Sequence, residues 1–334
     1  MSGTTFKRAC IRFNRSFSLK DIDWHLKPSQ VWAILGSSGS GKTALASALA
    51  GDGELVSGTR EGVVANTGIV SVHAQAELIE RERLRDDSDI TDLVSEGTPV
   101  REMLDEVCTD RVLLDQLVTL FGLEPLMVRG FRKLSTGESR KVMYCRALAS
   151  KPGMIIIDGP FEGLDATTVP KVSTVLEQVS GQVPMVLVIN RLEELPGYVT
   201  DIALLENGRI KAILDAQSGD SIKLLQQWLH LKTTDIKIPP APASDRLPEL
   251  ADGVALVEIR NASVRYTDNL VFENLDWKID AGQHWQLTGP NGSGKTCLLN
   301  LITGDHPQCY SNDITVCGYR RGQGESIWDI KQYI

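Results

Sequence analysis

The sequence predicts an α/β fold on a mixed sheet, made twice in tandem with the second copy present only in part. Three observations carry that expectation. The stretch Gly36-Ser37-Ser38-Gly39-Ser40-Gly41-Lys42-Thr43 recurs as Gly289-Pro290-Asn291-Gly292-Ser293-Gly294-Lys295-Thr296. Each copy follows a short apolar run, residues 31–35 or 284–288, that reads as a strand, and each opens into an apolar helical pattern, residues 44–50 or 297–303. The third observation is Met154-Ile155-Ile156-Ile157-Asp158, a continuous apolar run of the kind buried in a parallel sheet, ending on a carboxylate.

The distance between the two glycine-rich stretches, 289 − 36 = 253 residues, also superposes Phe13 on Tyr266, Trp24 on Trp277, Gln30 on Gln283 and Trp32 on Trp285. Gly51-Asp52 falls on Gly304-Asp305 in the same register. A repeat of that length is a whole domain, not a solenoid unit. The chain therefore divides into a first domain at 1–231, a linker at 232–253 and the N-terminal part of a second domain at 254–334. The linker carries Pro239, Pro240, Pro242 and Pro248 and reads as semi-extended.

In chain order, residues 9–13 with 17–26, and 256–266 with 271–279, alternate as paired antiparallel strands. Phe13 and Tyr266 sit at matching positions, where an aromatic ring could stack on a base or simply pack in the strand. Residues 58–72 are short and β-like, and Gln75 just beyond them is assigned to the nucleotide-binding set. The charged run 80–92 has little periodicity and reads as a solvated loop. Residues 100–107 and 111–121 carry the helical spacing, seen in Leu113, Leu114, Leu117, Val118 and Phe121, and Gly122 stops the second helix.

Leu134-Ser135-Thr136-Gly137-Glu138 then precedes a helical stretch at 139–148. A Ser or Thr there is first of all a helix cap, and the helix end it caps attracts anions. After the run ending at Asp158 come a second buried strand, 184–189, and then 202–205 followed by the hairpin turn Asn207-Gly208. An apolar helix at 224–231 closes the first domain.

Composition narrows the function. At 334 residues and 42% hydrophobic content, more than one core is affordable. A net charge of −8 argues against nucleic acid as the partner. The six cysteines show no Cys-x-x-Cys spacing and the five histidines are scattered, so neither a zinc site nor a disulfide framework is indicated. The first ten residues lack a signal-peptide pattern and no run approaches the length of a membrane span. A reducing, cytoplasmic setting follows, with any attachment to an inner membrane coming through a partner.

The repeated glycine-rich stretch has the chemistry of a phosphate-binding loop. Gly36, Gly39 and Gly41, like Gly289, Gly292 and Gly294, let the backbone curl so that N–H groups, including those at Ser37, Ser38, Ser40 and Asn291, point inward at phosphate oxygens. Lys42 or Lys295 neutralises the outer phosphates, and Thr43 or Thr296 can place a hydroxyl on Mg²⁺. Asp158, at the C-terminal edge of a buried strand, is placed to hold the same ion.

With loop, Leu134-to-Glu138 stretch and acidic strand in this order, the first domain resembles the ATP-binding-cassette ATPases over residues 5–231. The resemblance implies a P-loop cassette with an antiparallel β-subdomain and a helical subdomain, and ATP and Mg²⁺ as ligands. It also implies that Ser135 and Gly137 close on the γ-phosphate of nucleotide held by a second cassette. The second half, through Gly304-Asp305-His306-Pro307-Gln308, Tyr310-Ser311-Asn312-Asp313, Arg320-Arg321 and Ile327-Trp328-Asp329-Ile330, is similar to duplicated members of that family associated with molybdate transport. A cytoplasmic ATPase subunit working with a membrane-embedded transporter subunit is what this implies. Alternatives are a translation or regulatory ATPase, and a nucleotide-binding protein without turnover.

Two departures from the family pattern lead to further expectations. Where hydrolysing members have a glutamate after the strand aspartate and a histidine after the next strand, this sequence has Gly159 and Asn190. Glu162, three residues beyond Gly159, is not expected to substitute. Ser135 lies 135 − 43 = 92 residues past Thr43, whereas only 334 − 296 = 38 residues follow Thr296. The second cassette is therefore expected to lack its own signature and acidic strand, and to leave Leu287, Leu298 and Leu301 poorly covered.

Overall fold

A computed structural model describes residues 3–28, 30–84, 96–233, 250–251, 253–266, 269–289 and 293–333. The chain divides into two compact units, Met1–Asp235 and Ile236–Ile334.

Unit 1 is organised by a sheet of order β5-β6-β7-β3-β8-β9. Its strands are β3 (Val31–Gly36), β5 (Thr67–Val70), β6 (Met154–Asp158), β7 (Met185–Val188), β8 (Asp201–Glu206) and β9 (Arg209–Asp215). All neighbours are parallel except β8 and β9. That pair is joined by Asn207 and Gly208, both at positive φ (51° and 73°), which is the hairpin geometry their side chains favour.

Alternation along the strands buries both faces. Val31, Ala33, Leu35, Ile155, Ile157, Met185, Leu187, Ile202 and Leu204 belong to one core. Trp32, Ile34, Met154, Ile156, Val186, Val188, Ala203 and Leu205 belong to the other. The first core is completed by helices α3 (Val100–Asp105), α4 (Arg111–Phe121) and α5 (Thr136–Ala149), through residues such as Met103, Leu117 and Tyr144. The second is completed by α1 (Lys42–Leu49) and by β1 (Thr4–Arg12) and β2 (Ser18–Leu26). These two strands form an antiparallel sheet, order β2-β1-β4, with β4 (Glu54–Glu61). The expected mixed sheet, antiparallel sheet and helical layer are therefore all present.

Helix α2 (Val72–Leu84) corrects one expectation, because the charged run 80–92 begins as helix. Gln75, Leu78 and Glu82 form a buried stripe at helical spacing, and Glu82 Oε2 accepts the Thr98 N–H at 2.7 Å. A carboxylate used as an internal acceptor hid the stripe from a hydropathy reading. Residues 85–92 of that run lie outside the described residues. Helix α4 stops as expected: Gly122 takes a left-handed conformation, φ 62°, and its N–H returns to Thr119 and Val118. The described part of unit 1 also has the helices α6 (Val169–Ser180) and α7 (Gly219–Thr233).

Unit 2 repeats the opening of unit 1. Its antiparallel sheet has the order β11-β10-β12-β13, from β10 (Val257–Tyr266), β11 (Asn269–Ile279), β12 (Asp313–Val316) and β13 (Tyr319–Arg320), with helices α8 (Lys295–Thr303) and α9 (Ile327–Lys331). The duplication extends to single bonds. Gln30 Oε1 accepts from Lys27 N and Trp32 Nε1 at 2.9 and 3.1 Å, and Gln283 Oε1 from Asp280 N and Trp285 Nε1 at 3.0 Å each. Trp24 meets Trp32 edge-on at 5.1 Å, as Trp277 meets Trp285 at 5.6 Å.

The strand expected at 284–288 is not formed; these residues are irregular and exposed. Its counterpart β3 is held by β7 on one side and β8 on the other, and among the described residues unit 2 has no such neighbours. An unpaired segment has no ladder to define it as a strand. The expectation of poor cover fails for Leu298 and Leu301, which are 8% and 0% exposed in a core with Ile259, Val264, Ile314 and Ile330. It holds for Leu287, at 39%.

Two predictions follow from these contrasts. Amide exchange at residues 33–35 is expected to be at least ~100-fold slower than at their copies 286–288; equal protection would show that the second segment is paired. Gly122→Ala forces a side chain into left-handed geometry and should cost about 1 kcal/mol in urea unfolding.

Candidate functional site

Strand β3 delivers its last residue, Gly36, to the C-terminal edge of the sheet, and α1 starts at Lys42. The loop between them turns through Gly39 and Gly41 at φ 77° and 102°. A Cβ on Gly41 would lie 2.5 Å from Phe17 Cζ, so only glycine fits there. The loop is braced from the β8–β9 hairpin, where the Gly208 N–H donates to the Ser40 carbonyl at 2.9 Å.

Lys42 is buried beneath this loop, and its Nζ donates to the carbonyls of Gly36 and Ser37 at 2.9 and 3.2 Å. Burial pushes the ammonium pKa down, while Asp158 and Glu162 pull it back up. A cation held this way, under backbone N–H groups at a helix N-terminus, is a receptor for a polyphosphate. The space above it, about 380 Å³, is lined by Phe17, Ser38, Gly39, Gly41, Lys42, Thr43, Ala44, Asp158 and Asn190.

The ends of β6 and β7 supply the acidic wall. Thr43 Oγ1 donates to Asp158 Oδ2 at 2.6 Å. After Asp158 the chain turns sharply at Gly159, φ 66°, where a Cβ would sit 2.6 Å from Glu162 Cδ and 2.7 Å from Glu162 Oε2. Asn190 Nδ2 donates to Glu162 Oε1 at 2.9 Å. Arg140, fully buried in α5, anchors this turn from below by donating to the carbonyls of Asp158 and Gly159 at 2.8 and 2.6 Å. Tyr144 donates to the Pro160 carbonyl at 2.6 Å, and burial pushes its phenol pKa up to about 12. A broader cleft beside the loop, about 940 Å³, is lined by Thr43, Ser47, Asp52, Ser71, His73, Glu77, Asp158 and Glu162 among others.

The hydroxyl of Thr43 and the carboxylate of Asp158 are the sparse, all-oxygen donor set that suits Mg²⁺, whose remaining ligands are waters and phosphate oxygens. Among the described residues no group of three or more His, Cys, Asp or Glu side chains offers a richer metal site. When bound there, Mg²⁺ would neutralise phosphate charge.

The structure thus brings Gly36, Ser37, Ser38, Gly39, Ser40, Gly41, Lys42, Thr43, Asp158, Gly159 and Asn190 to one sheet edge. It places four other candidates elsewhere. Gln75 is buried in α2, donates to Ser139 Oγ at 2.7 Å, and is not among the residues lining the pocket above Lys42. Ser135 caps α5: its Oγ accepts the Glu138 N–H, and Glu138 Oε2 accepts the Ser135 N–H in return. Gly137 is buried in the first turn of the same helix. Phe13 is half-buried against the second core, its ring 3.1 Å from where a Cβ on Gly53 would lie.

Sequence reasoning missed Phe17, the ring that touches the loop, because beside a strand it reads like any core aromatic. It also missed Arg140, whose one-residue signal is a charge on an otherwise ordinary helix. Glu162 is legible in the sequence as part of a turn, but a base must sit within hydrogen-bond reach of its proton, and spacing alone does not show that it does.

In unit 2 the loop keeps its central bond, with Lys295 Nζ donating to the Gly289 carbonyl at 2.8 Å and Gly294 left-handed at φ 86°. Asn291 and Gly292 lie outside the described residues. Thr296 is exposed, and the described part of unit 2 has no strand matching β6 that would bring it an aspartate. Tyr266, the counterpart of Phe13, is 53% exposed and bonded through its hydroxyl to His306 Nε2 at 2.7 Å.

Comparison with known proteins agrees with this geometry. The family model described as "ABC transporter" matches residues 19–162 and 272–328. The chain is 35% identical to the ABC transporter ATP-binding protein ModF of Escherichia coli (strain K12) over 343 aligned residues, covering 100% of this chain and 69% of that protein. An uncharacterized ABC transporter ATP-binding protein of Schizosaccharomyces pombe is 28% identical over 66% of this chain, which spans 44% of it. Among solved structures, an ATP-binding subunit of an ABC transporter superposes with a TM-score of 0.55 at 18% identity, over 69% of this chain and 100% of the other. A nucleotide-free ATP-binding cassette gives 0.55 at 18%, over 71% and 100%, so the fold is shared with both. The family match over both halves, the whole-length likeness to ModF and the cassette fold of unit 1 together establish that the chain belongs to the ABC transporter family.

Proposed function

We propose that the Lys42 loop binds MgATP and that the chain is the ATP-binding subunit of a transport system. The observation that carries this reading is the caged Lys42 ammonium, with Thr43 and Asp158 paired at its side and an open pocket above. Phosphates entering the loop would take the Lys42 donors from the Gly36 and Ser37 carbonyls, which exchanges neutral acceptors for charged ones. Phe17 at the loop, and Phe13 by family resemblance, are the rings available to the base. Thr43 and Asp158 would hold Mg²⁺.

Turnover at this site is slow in our reading. Gly159 stands where hydrolysing relatives have their glutamate, and Asn190 donates a hydrogen bond but cannot carry imidazolium charge. The signature residues Ser135 and Gly137 would serve the nucleotide of a second cassette, so that ATP-driven closure of paired cassettes is the working motion. A membrane-embedded subunit is the natural further partner. Among the described residues no helix is long and apolar enough to cross a membrane, so transport by this chain needs such a partner. We extend the reading to molybdate or a similar oxyanion as cargo, and to a cytoplasmic location, on the family resemblance alone.

Titration with a fluorescent ATP analogue tests the reading. Lys42→Ala should weaken binding at least about tenfold by removing a charge-assisted contact, and Asp158→Asn should abolish most of the gain that Mg²⁺ gives the wild type. Unchanged affinity in Lys42→Ala would place the nucleotide elsewhere.

A further inference from the structure

We propose that Glu162 supplies the water-activating carboxylate of this site, in the place left by Gly159, with Asn190 as its positioning residue. The inference rests on the reading of the Lys42 loop as an ATP site and concerns the slow turnover assigned to it.

Three independent observations point to Glu162. Its carboxylate fills the side-chain position of the residue that follows Asp158: the place of a Cβ on Gly159 lies 2.6 Å from Glu162 Cδ and 2.7 Å from Oε2. The turn that achieves this is closed by the Glu162 N–H donating to the Gly159 carbonyl at 3.2 Å, and it needs the left-handed φ of 66° that glycine adopts freely. The carboxylate also lines the same cleft as Thr43 and Asp158, and it acts on the Lys42 ammonium together with Asp158. Finally, the residue after β7 is turned toward it, Asn190 Nδ2 donating to Oε1 at 2.9 Å.

The two departures from the family pattern thus belong to one arrangement. A glutamate at 159 would collide with Glu162, and a glutamate at 162 reaches that space only if 159 has no side chain. Asn190 suits this base because a neutral amide donates a hydrogen bond without surrendering a proton. The Asn190 contact uses Oε1, which leaves the second oxygen, Oε2, for water.

The step is a hydrolysis. Water oxygen attacks the γ-phosphorus and one of its protons passes to the Glu162 carboxylate. The bond from the γ-phosphorus to the β,γ-bridging oxygen breaks, its electron pair remaining on ADP, and inorganic phosphate departs. Glu162 then returns its proton to solvent. No redox partner is required.

The test is single-turnover hydrolysis of radiolabelled MgATP by excess protein, with nucleotide affinity measured in parallel on the same full chains. Glu162→Gln, which keeps shape and the Asn190 contact, should lower the rate at least about tenfold, as loss of a general base does, while affinity stays within about threefold. Glu162→Asp should retain part of the rate, which guards against a folding defect. Gly159→Ala, which displaces the carboxylate, should lower the rate as well. An unchanged rate in Glu162→Gln overturns the proposal, as does wild-type protein that binds ATP without hydrolysing it. Equal losses of rate and affinity would make Glu162 merely structural. Failure of the wild type to bind ATP would instead sink the reading of the site itself.

Discussion

The buried ammonium of Lys42 is the constraint around which unit 1 is arranged. A charge removed from water is costly unless donors and acceptors meet it, and here the Gly36 and Ser37 carbonyls do so. Those carbonyls face inward only because the loop curls through left-handed glycines. The curl persists because the loop is pinned between Phe17 on one side and the Gly208 turn on the other. A sheet in which β3 pairs with β8 fixes the height of the Gly208 support. The result is a cation already in place, under helix N–H groups, before any anion arrives.

The second dependence runs through the turn after β6. Arg140 reaches from the helical layer to hold the carbonyls at 158 and 159, and Tyr144 holds the next one at Pro160. This fixes the path that brings residue 162 back over Gly159. The helical layer thereby shapes the acidic wall of the phosphate pocket. The N-terminal end of α5 is brought close to the same turn, since a Cβ on Gly163 would lie 3.0 Å from Thr136 Cγ2. Helix α5 thus meets the acidic turn both at its first residue and through Arg140.

Much of this was legible in the sequence for definite reasons. The loop, its flanking elements and Asp158 are local patterns, in which a residue's neighbours in sequence are its neighbours in space. The 253-residue repeat exposed the duplication, down to the Gln30 and Gln283 acceptors. What escaped was non-local. Helix α2 was hidden by Glu82, whose charge is spent on the Thr98 amide. Gln75 faces Ser139, a partner 64 residues away. Glu162 is legible as a turn residue, but spacing along the chain does not show where its carboxylate points. The strand at 284–288 failed for the opposite reason: its pattern is right, but a strand is a property of its neighbours, and among the described residues the neighbours are missing.

The duplicated halves thus separate loop chemistry from site chemistry. Unit 2 repeats the lysine-to-carbonyl bond, the tryptophan pair and the glutamine acceptor, while among the described residues Thr296 has no aspartate strand beside it. Among the described residues, cation, oxygen pair and carboxylate wall are assembled together only around Lys42. The most direct measurement of that claim is a structure of the chain with magnesium and a non-hydrolysable ATP analogue. The account predicts the triphosphate in the Lys42 loop, and Glu162 holding a water at about 3 Å on the γ-phosphate side. A nucleotide bound elsewhere, or a Glu162 carboxylate turned away from the terminal phosphate, would contradict it.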